Sequence, residues 1–280
     1  MIILYSKNST ILRVPKTGST TLQSSIRFAP GCFSEGDRST GVDDSNLSPI
    51  NIADYNTFFD QRLSIRQSIR SKRIDARANK TDAVFTDEEQ SLIDLMSDRE
   101  SNNTFQQMPL PHSTLDDLTD ENGWSFLNYI TEEQIQSFNH YAYIRNPLKR
   151  LISAYLFSWN RIIPLNISNF HDFVNSDDFA KGLVFRKQID YFKYNNQIIV
   201  TPLLFENYET EMNNLITTLG GTCLSEYPKF KSGLIDILSL EDPKPSVENW
   251  IEPYSDIKNK ILNHYSEDVT LWQNTSGQTL

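Results

Sequence analysis

Lys16, Gly18 and a run of hydroxyl side chains stand together in Val14-Pro15-Lys16-Thr17-Gly18-Ser19-Thr20-Thr21-Leu22, a composition suited to cradling an anion. If these residues turn from a strand into a helix, the first helical N–H groups lack partners and the helix dipole favours negative charge there. Gly18 lets the backbone approach that charge, and the hydroxyls of Ser19, Thr20 and Thr21 add donors. A nucleotide-hydrolysing phosphate loop ends in Gly-Lys-Ser/Thr and carries another glycine five residues before the lysine. Here Pro15 precedes Lys16 and Ile11 lies five before it, so that reading fails. The plain structural alternative is a Ser/Thr-rich helix cap with a surface lysine. A second constellation is Tyr141-Ala142-Tyr143-Ile144-Arg145-Asn146-Pro147-Leu148-Lys149-Arg150-Leu151-Ile152-Ser153-Ala154-Tyr155. The planar fork of Arg145 suits a phosphate, and Ser153 adds a hydroxyl two helical turns later. Its structural alternative has Arg145 capping a sheet and Ser153 packing as a small residue.

Both constellations need a strand, a turn and a helix. Ile11-Leu12-Arg13-Val14 is short and β-branched, and Leu22 and Ile26 follow one helical turn apart. His140 to Ile144 reads as a core strand; Asn146 is a good N-cap and Pro147 a good first helical residue. Leu148, Leu151, Ile152, Tyr155 and Leu156 give that helix an apolar face. Residues 1–5 predict another strand. Thr86-Asp87-Glu88-Glu89 and Thr131-Glu132-Glu133-Gln134 match capping boxes. One or two helices are expected between Phe170 and Phe192. Ile198-Ile199-Val200 and Leu203-Leu204-Phe205 read as strand pieces interrupted by Pro202. Tyr208 to Leu219 predicts a helix stopped at Gly220-Gly221, and Ser255 is expected to cap a last helix. Residues 31–49 read as loop. Strands alternating with helices indicate a mainly parallel α/β sheet.

At 280 residues, with 38% hydrophobic and 11% aromatic residues, the chain can bury a large core. A formal net charge of −10 argues against a non-specific nucleic-acid binder but not against a small anion held by a few cations. The apolar start Met1-Ile2-Ile3-Leu4-Tyr5 is too short for a signal-peptide core, and no apolar run reaches membrane-spanning length. Cys32 and Cys223 offer neither metal-site spacing nor a disulfide framework, and no carboxylate metal site is evident. Soluble and cytoplasmic is the expectation. Arg62, Arg66, Arg70, Lys72, Arg73, Arg77 and Lys80 form a cationic run, read either as a solvated helix face or as a basic flap over an anionic ligand.

Taken together, the two constellations resemble sulfotransferases that use 3′-phosphoadenosine 5′-phosphosulfate (PAPS), nearer the carbohydrate branch. The resemblance implies an α/β three-layer sandwich with a mainly parallel central sheet and a phosphate-loop-like architecture. It implies one domain over residues 1–280 with a polar and basic insertion or lid at about 31–107, a stretch longer than the family pattern leads one to expect. By that match Lys16, Thr17, Gly18, Ser19, Thr20 and Thr21 hold the 5′-phosphosulfate, and Arg145 and Ser153 hold the 3′-phosphate. Pro109-Leu110-Pro111-His112-Ser113-Thr114 resembles the segment that supplies the family's general base, which makes His112 that base and Lys16 its catalytic partner. Lys229 or Lys231, in a loop that matches no strict pattern, is a further 3′-phosphate contact, and Lys231 is the one adopted. Leu204-Phe205-Glu206-Asn207-Tyr208 resembles a structural segment, and Ile261 to Trp272 the family's C-terminal helix.

The activity so implied is in-line sulfuryl transfer to an acceptor hydroxyl, a small molecule or, by preference, a carbohydrate, with no metal. Two alternatives remain at this point: a non-catalytic nucleotide- or anion-binding protein on the same fold, and a small-molecule kinase.

Overall fold

The structure, a computed structural model, describes residues 2–34, 37–39, 68, 72, 76, 81–87, 89–90, 114–116, 130–159, 166–176, 179, 181, 184–227 and 245–280. The chain divides into two compact units, Met1–Val42 with Pro109–Phe230 and Leu238–Leu280, and Asp43–Met108 with Lys231–Ile237.

The first unit is built on a five-stranded sheet of β1 (Ile2–Leu4), β2 (Ser9–Leu12), β3 (Arg38–Ser39), β4 (Asn139–Ile144) and β7 (Val200–Leu204), in the order β3-β1-β2-β4-β7. β2, β4 and β7 pair in parallel, whereas β1 is antiparallel to both of its neighbours, so four strands share one direction. The mainly parallel α/β fold is present. A separate hairpin joins β5 (Lys193–Tyr194) to β6 (Gln197–Ile198), turning through Asn195 and Asn196 at positive φ.

Strand alternation gives the sheet two apolar faces. Ile2, Leu4, Ile11 and Tyr143 point towards α1 (Ser19–Phe28) and α5 (Tyr208–Thr218), where Leu22, Ile26, Met212 and Ile216 cover them. Ile3, Leu12, Ala142 and Ile144 point to the other face. Ile135 of α2 (Glu132–Ser137) and Trp272 of α8 (Ser266–Ser276) belong to that core. Helices on both sheet faces make three layers. A second apolar cluster forms where α3 (Pro147–Trp159) meets α4 (Ile167–Asn175), α6 (Val247–Trp250) and α7 (Ser255–His264), around Tyr155, Phe170 and Trp250.

Both capping boxes form: Thr131 and Gln134 bond reciprocally, as do Thr86 and Glu89. Three expectations need correction. Pro202 does not interrupt its strand: β7 runs through it, opposite Ala142, because β7 is a sheet edge and can spare one donor. Arg38 and Ser39, expected in a loop, pair with Ile3 and Ile2. Ser255 is the first residue of α7 rather than its cap, and the C-terminal helix breaks at Tyr265 into α7 and α8.

In the second unit, Glu89 accepts from Lys72 at 2.6 Å, from Ser68 at 2.5 Å and from the Thr86 N–H at 2.7 Å. These donors, Lys72 foremost, hold its carboxyl at about 2. Lys72 of the cationic run is thus paired within its own unit.

Candidate functional site

β2 ends at Leu12, and the chain reaches α1 through Arg13 to Gly18. Lys16 and Gly18 both take left-handed backbone, at φ 65° and 71°, which bends the loop over the start of the helix. Gly18 is the N-cap, its carbonyl accepting from Leu22 N at 3.0 Å, and brings no capping side chain. The first-turn N–H groups of α1 are therefore those a helix leaves unsatisfied. Thr17 is buried, and its hydroxyl donates to the Val14 carbonyl at 2.9 Å. That proton is committed to closing the loop, so Thr17 can offer a ligand its backbone N–H. Ser19 and Thr20 open the first turn, followed by half-buried Thr21. Lys16 is half-buried, with Nζ 4.4 Å above the Phe157 ring centroid. Burial first, and the neighbouring Arg145 charge second, bring its amine from 10.5 down to about 8.

Arg145 follows the last residue of β4. Asn146 caps α3, its Oδ1 accepting from Leu148 N at 3.0 Å and Lys149 N at 3.1 Å. The Arg145 guanidinium lies over Phe205, 4.8 Å from the ring centroid, and its Nη1 donates to the Lys16 carbonyl at 2.9 Å. Its Nε is buried and, among the described residues, has no hydrogen-bond partner. Burial lowers the Arg145 pKa; Glu206 opposes that and Arg150 adds to it. Phe205 serves both loops: a Cβ on Gly18 would stand 2.5 Å from its Cε2.

Ser153 is half-buried on α3, one turn after exposed Lys149 and one turn before exposed Phe157. Since Phe157 lies under the Lys16 amine, Ser153 belongs to the helix face that runs towards the lysine loop. The structure thus brings together Lys16, Gly18, Arg145 and the Ser153 face from opposite halves of the chain. His112 and Lys231 lie outside the described residues. The other histidines are engaged elsewhere. His140 Nε2 donates to Ile135 O at 2.6 Å, which leaves Nδ1 to accept from Thr10 Oγ1 at 2.6 Å. His171 meets the Trp250 carbonyl at 2.9 Å, and His264 packs on the rings of Phe179 and Tyr265.

Two further residues support the site. Gln188 is fully buried; its Oε1 accepts from Arg145 N at 3.0 Å and its Nε2 donates to Arg145 O at 2.9 Å. Glu206 accepts from Asn146 N at 2.9 Å and from Trp272 Nε1 at 3.3 Å, tying α3 to α8. The Phe205-Glu206 pair could have been found through its family-like segment, read above as structural. Nothing around Gln188 in the sequence signals its task.

The sequence profile of the sulfotransferase family matches residues 5–271, almost the entire chain. The chain belongs to the sulfotransferase family. Both strand-turn-helix loops of this chain fall inside the match. A crystal structure of a sulfotransferase from Alicyclobacillus acidocaldarius is 13% identical, with 98% of this chain and 96% of that chain covered and a TM-score of 0.36. No curated protein matches the chain. Among the described residues, no helix is long and apolar enough to cross a membrane. Among the same residues, no group of three or more His, Cys, Asp or Glu side chains is placed to hold a metal ion.

Proposed function

We propose that this protein transfers the sulfuryl group of PAPS to an acceptor hydroxyl, with a carbohydrate as the favoured acceptor. The observation that carries the reading is the 2.9 Å bond from Arg145 Nη1 to the Lys16 carbonyl, which joins two cation-bearing loops at the start of α1. Burial and the Arg145 charge lower the Lys16 amine's affinity for protons, burial lowers that of Arg145, and among the described residues Arg145 Nε has no hydrogen-bond partner. Two such cations beside the N-terminal N–H groups of α1 fit a polyanion.

In this reading the N–H groups from Thr17 to Thr21 and the Lys16 ammonium hold the 5′-phosphosulfate. Arg145, Ser153 and Lys231 hold the 3′-phosphate. The donor supplies an activated sulfuryl group: the acceptor oxygen bonds to sulfur as sulfur parts from the bridging phosphate oxygen, giving a sulfate ester, adenosine 3′,5′-bisphosphate and a proton. Lys16 neutralises the charge gathering on that bridging oxygen. His112 takes the acceptor's proton; an imidazole, with an ordinary pKa of about 6.5, suits that role near neutral pH. The basic stretch at about 31–107 is an insertion in this scheme.

The test is radiolabelled PAPS offered with a panel of glycans and small alcohols. Labelled ester is expected with at least one acceptor. Lys16→Ala and His112→Ala are expected to lower turnover by roughly two orders of magnitude, with nucleotide binding retained in the His112 variant. Full turnover in that variant removes His112 as base. Calorimetry with adenosine 3′,5′-bisphosphate against ATP separates this reading from a kinase.

A further inference from the structure

We infer that Gln188 is a positioning residue for Arg145, held in place from the C-terminal helix by Asp268, and that this relay sets the preference for a 3′-phosphorylated nucleotide. The inference rests on the proposed role of Arg145 as the 3′-phosphate ligand.

The pairing of β4 with β7 ends at Ile144 and Leu204, so Arg145 lies one residue past the ladder. Its backbone N–H and C=O would otherwise need other partners. Gln188 supplies both from one flat amide, accepting at 3.0 Å and donating at 2.9 Å, as another peptide group would. Two bonds to one residue define the direction of its Cα–Cβ bond. From there the guanidinium lies on Phe205 and reaches the Lys16 carbonyl.

Gln188 is itself fixed. It opens the short turn Gln188–Tyr191, and its backbone N–H donates to Asp268 Oδ2 at 2.9 Å while that of Ile189 donates to Oδ1 at 2.8 Å. Gln188 and Asp268 are both 0% exposed, so water cannot take over these bonds. Arg150 lies 4.0 Å from the Asp268 carboxylate and donates to the carbonyls of Val184 at 3.1 Å and Arg186 at 3.0 Å. The two arginines of the second motif therefore divide the work. Arg150 and Asp268 clamp the segment that carries Gln188, and Gln188 aims Arg145.

The test compares adenosine 3′,5′-bisphosphate with adenosine 5′-monophosphate by calorimetry on the full chain. Gln188→Met keeps the length and removes both bonds. It is expected to reduce the bisphosphate-over-monophosphate preference by about tenfold or more, with monophosphate affinity within about threefold of the native value. Gln188→Glu keeps the acceptor and loses the donor, and Asp268→Asn weakens the anchor; each is expected to reduce the preference by less. Adding Asp268→Asn to Gln188→Met should lower it no further. The ratio is read on one sample, so a partly folded fraction lowers both titrations alike. A native protein without the preference removes the reading of Arg145 and this inference with it. If Arg145→Ala abolishes the preference while the Gln188 and Asp268 variants keep it, the reading stands and the relay is overturned.

Discussion

Arg145 Nη1 donates to the carbonyl oxygen of Lys16 at 2.9 Å, so residues 129 apart in sequence share one bond between the two loops. A guanidinium suits this place, because the same group also lies over the Phe205 ring. A lysine at this position keeps the charge and loses both geometric features. Arg145→Lys is expected to weaken binding of adenosine 3′,5′-bisphosphate by roughly tenfold to a hundredfold in calorimetry. Native affinity in that variant would show that charge alone suffices.

The Lys16 amine, lowered to about 8 by burial and by Arg145, gives nucleotide binding a pH dependence with a definite sign. Above about 8 the free protein has lost the proton, and a bound polyanion restores it, since it favours the charged amine. Phosphate oxygens, with a second pKa of about 6, are already ionised there and take no part. Affinity should fall as pH rises through that value, with proton uptake on binding that depends on the buffer's ionisation enthalpy and disappears in Lys16→Arg. Without ligand, the unfolded chain holds this proton between about 8 and 10.5 while the folded chain does not, so this group's contribution to stability rises with pH across that window.

Gly18 combines φ 71° with a neighbour that leaves no room for a side chain, the Phe205 ring. Gly18→Ala meets both penalties and is expected to cost roughly 2–4 kcal/mol in urea unfolding. Pairing it with Phe205→Leu should recover part of the loss by removing the clash, with the backbone strain left over. No recovery would mean that strain accounts for all of it.

His140 is buried, bonded at both ring nitrogens, and its pKa is lowered chiefly by burial. Below its ordinary 6.5 the unfolded chain takes a proton that the folded imidazole resists. Stability should therefore fall as pH drops beneath that value. His140→Leu is expected to cost about 1–3 kcal/mol near neutral pH, because Thr10 and the Ile135 carbonyl lose their partner. The same variant should flatten the acid dependence of the urea midpoint, and an unchanged slope would assign it to other groups.

Much of the architecture was legible because its causes are local. The capping boxes at Thr86 and Thr131, the Asn146 cap and the apolar periods of α1 and α3 act within a few residues, so types and spacing determine them. Both strand-turn-helix loops follow from the same short-range rules. Pro202 misled because its meaning depends on whether β7 is central or an edge, and sheet order is not written in any one strand.

For the site, the sequence by itself determined the chemical types: a lysine and a glycine before a helix, an arginine after a strand, and a serine two turns on. Tertiary structure alone decided that the lysine and arginine loops meet, that Phe157 lies under the Lys16 amine, that the Thr17 hydroxyl turns inward, and that a glutamine 43 residues away holds Arg145. The physical reason is distance along the chain. Helix and turn signals arise from neighbours, whereas a hydrogen bond across 43 or 129 residues exists only once the sheet has set the strand order and the helices have packed upon it.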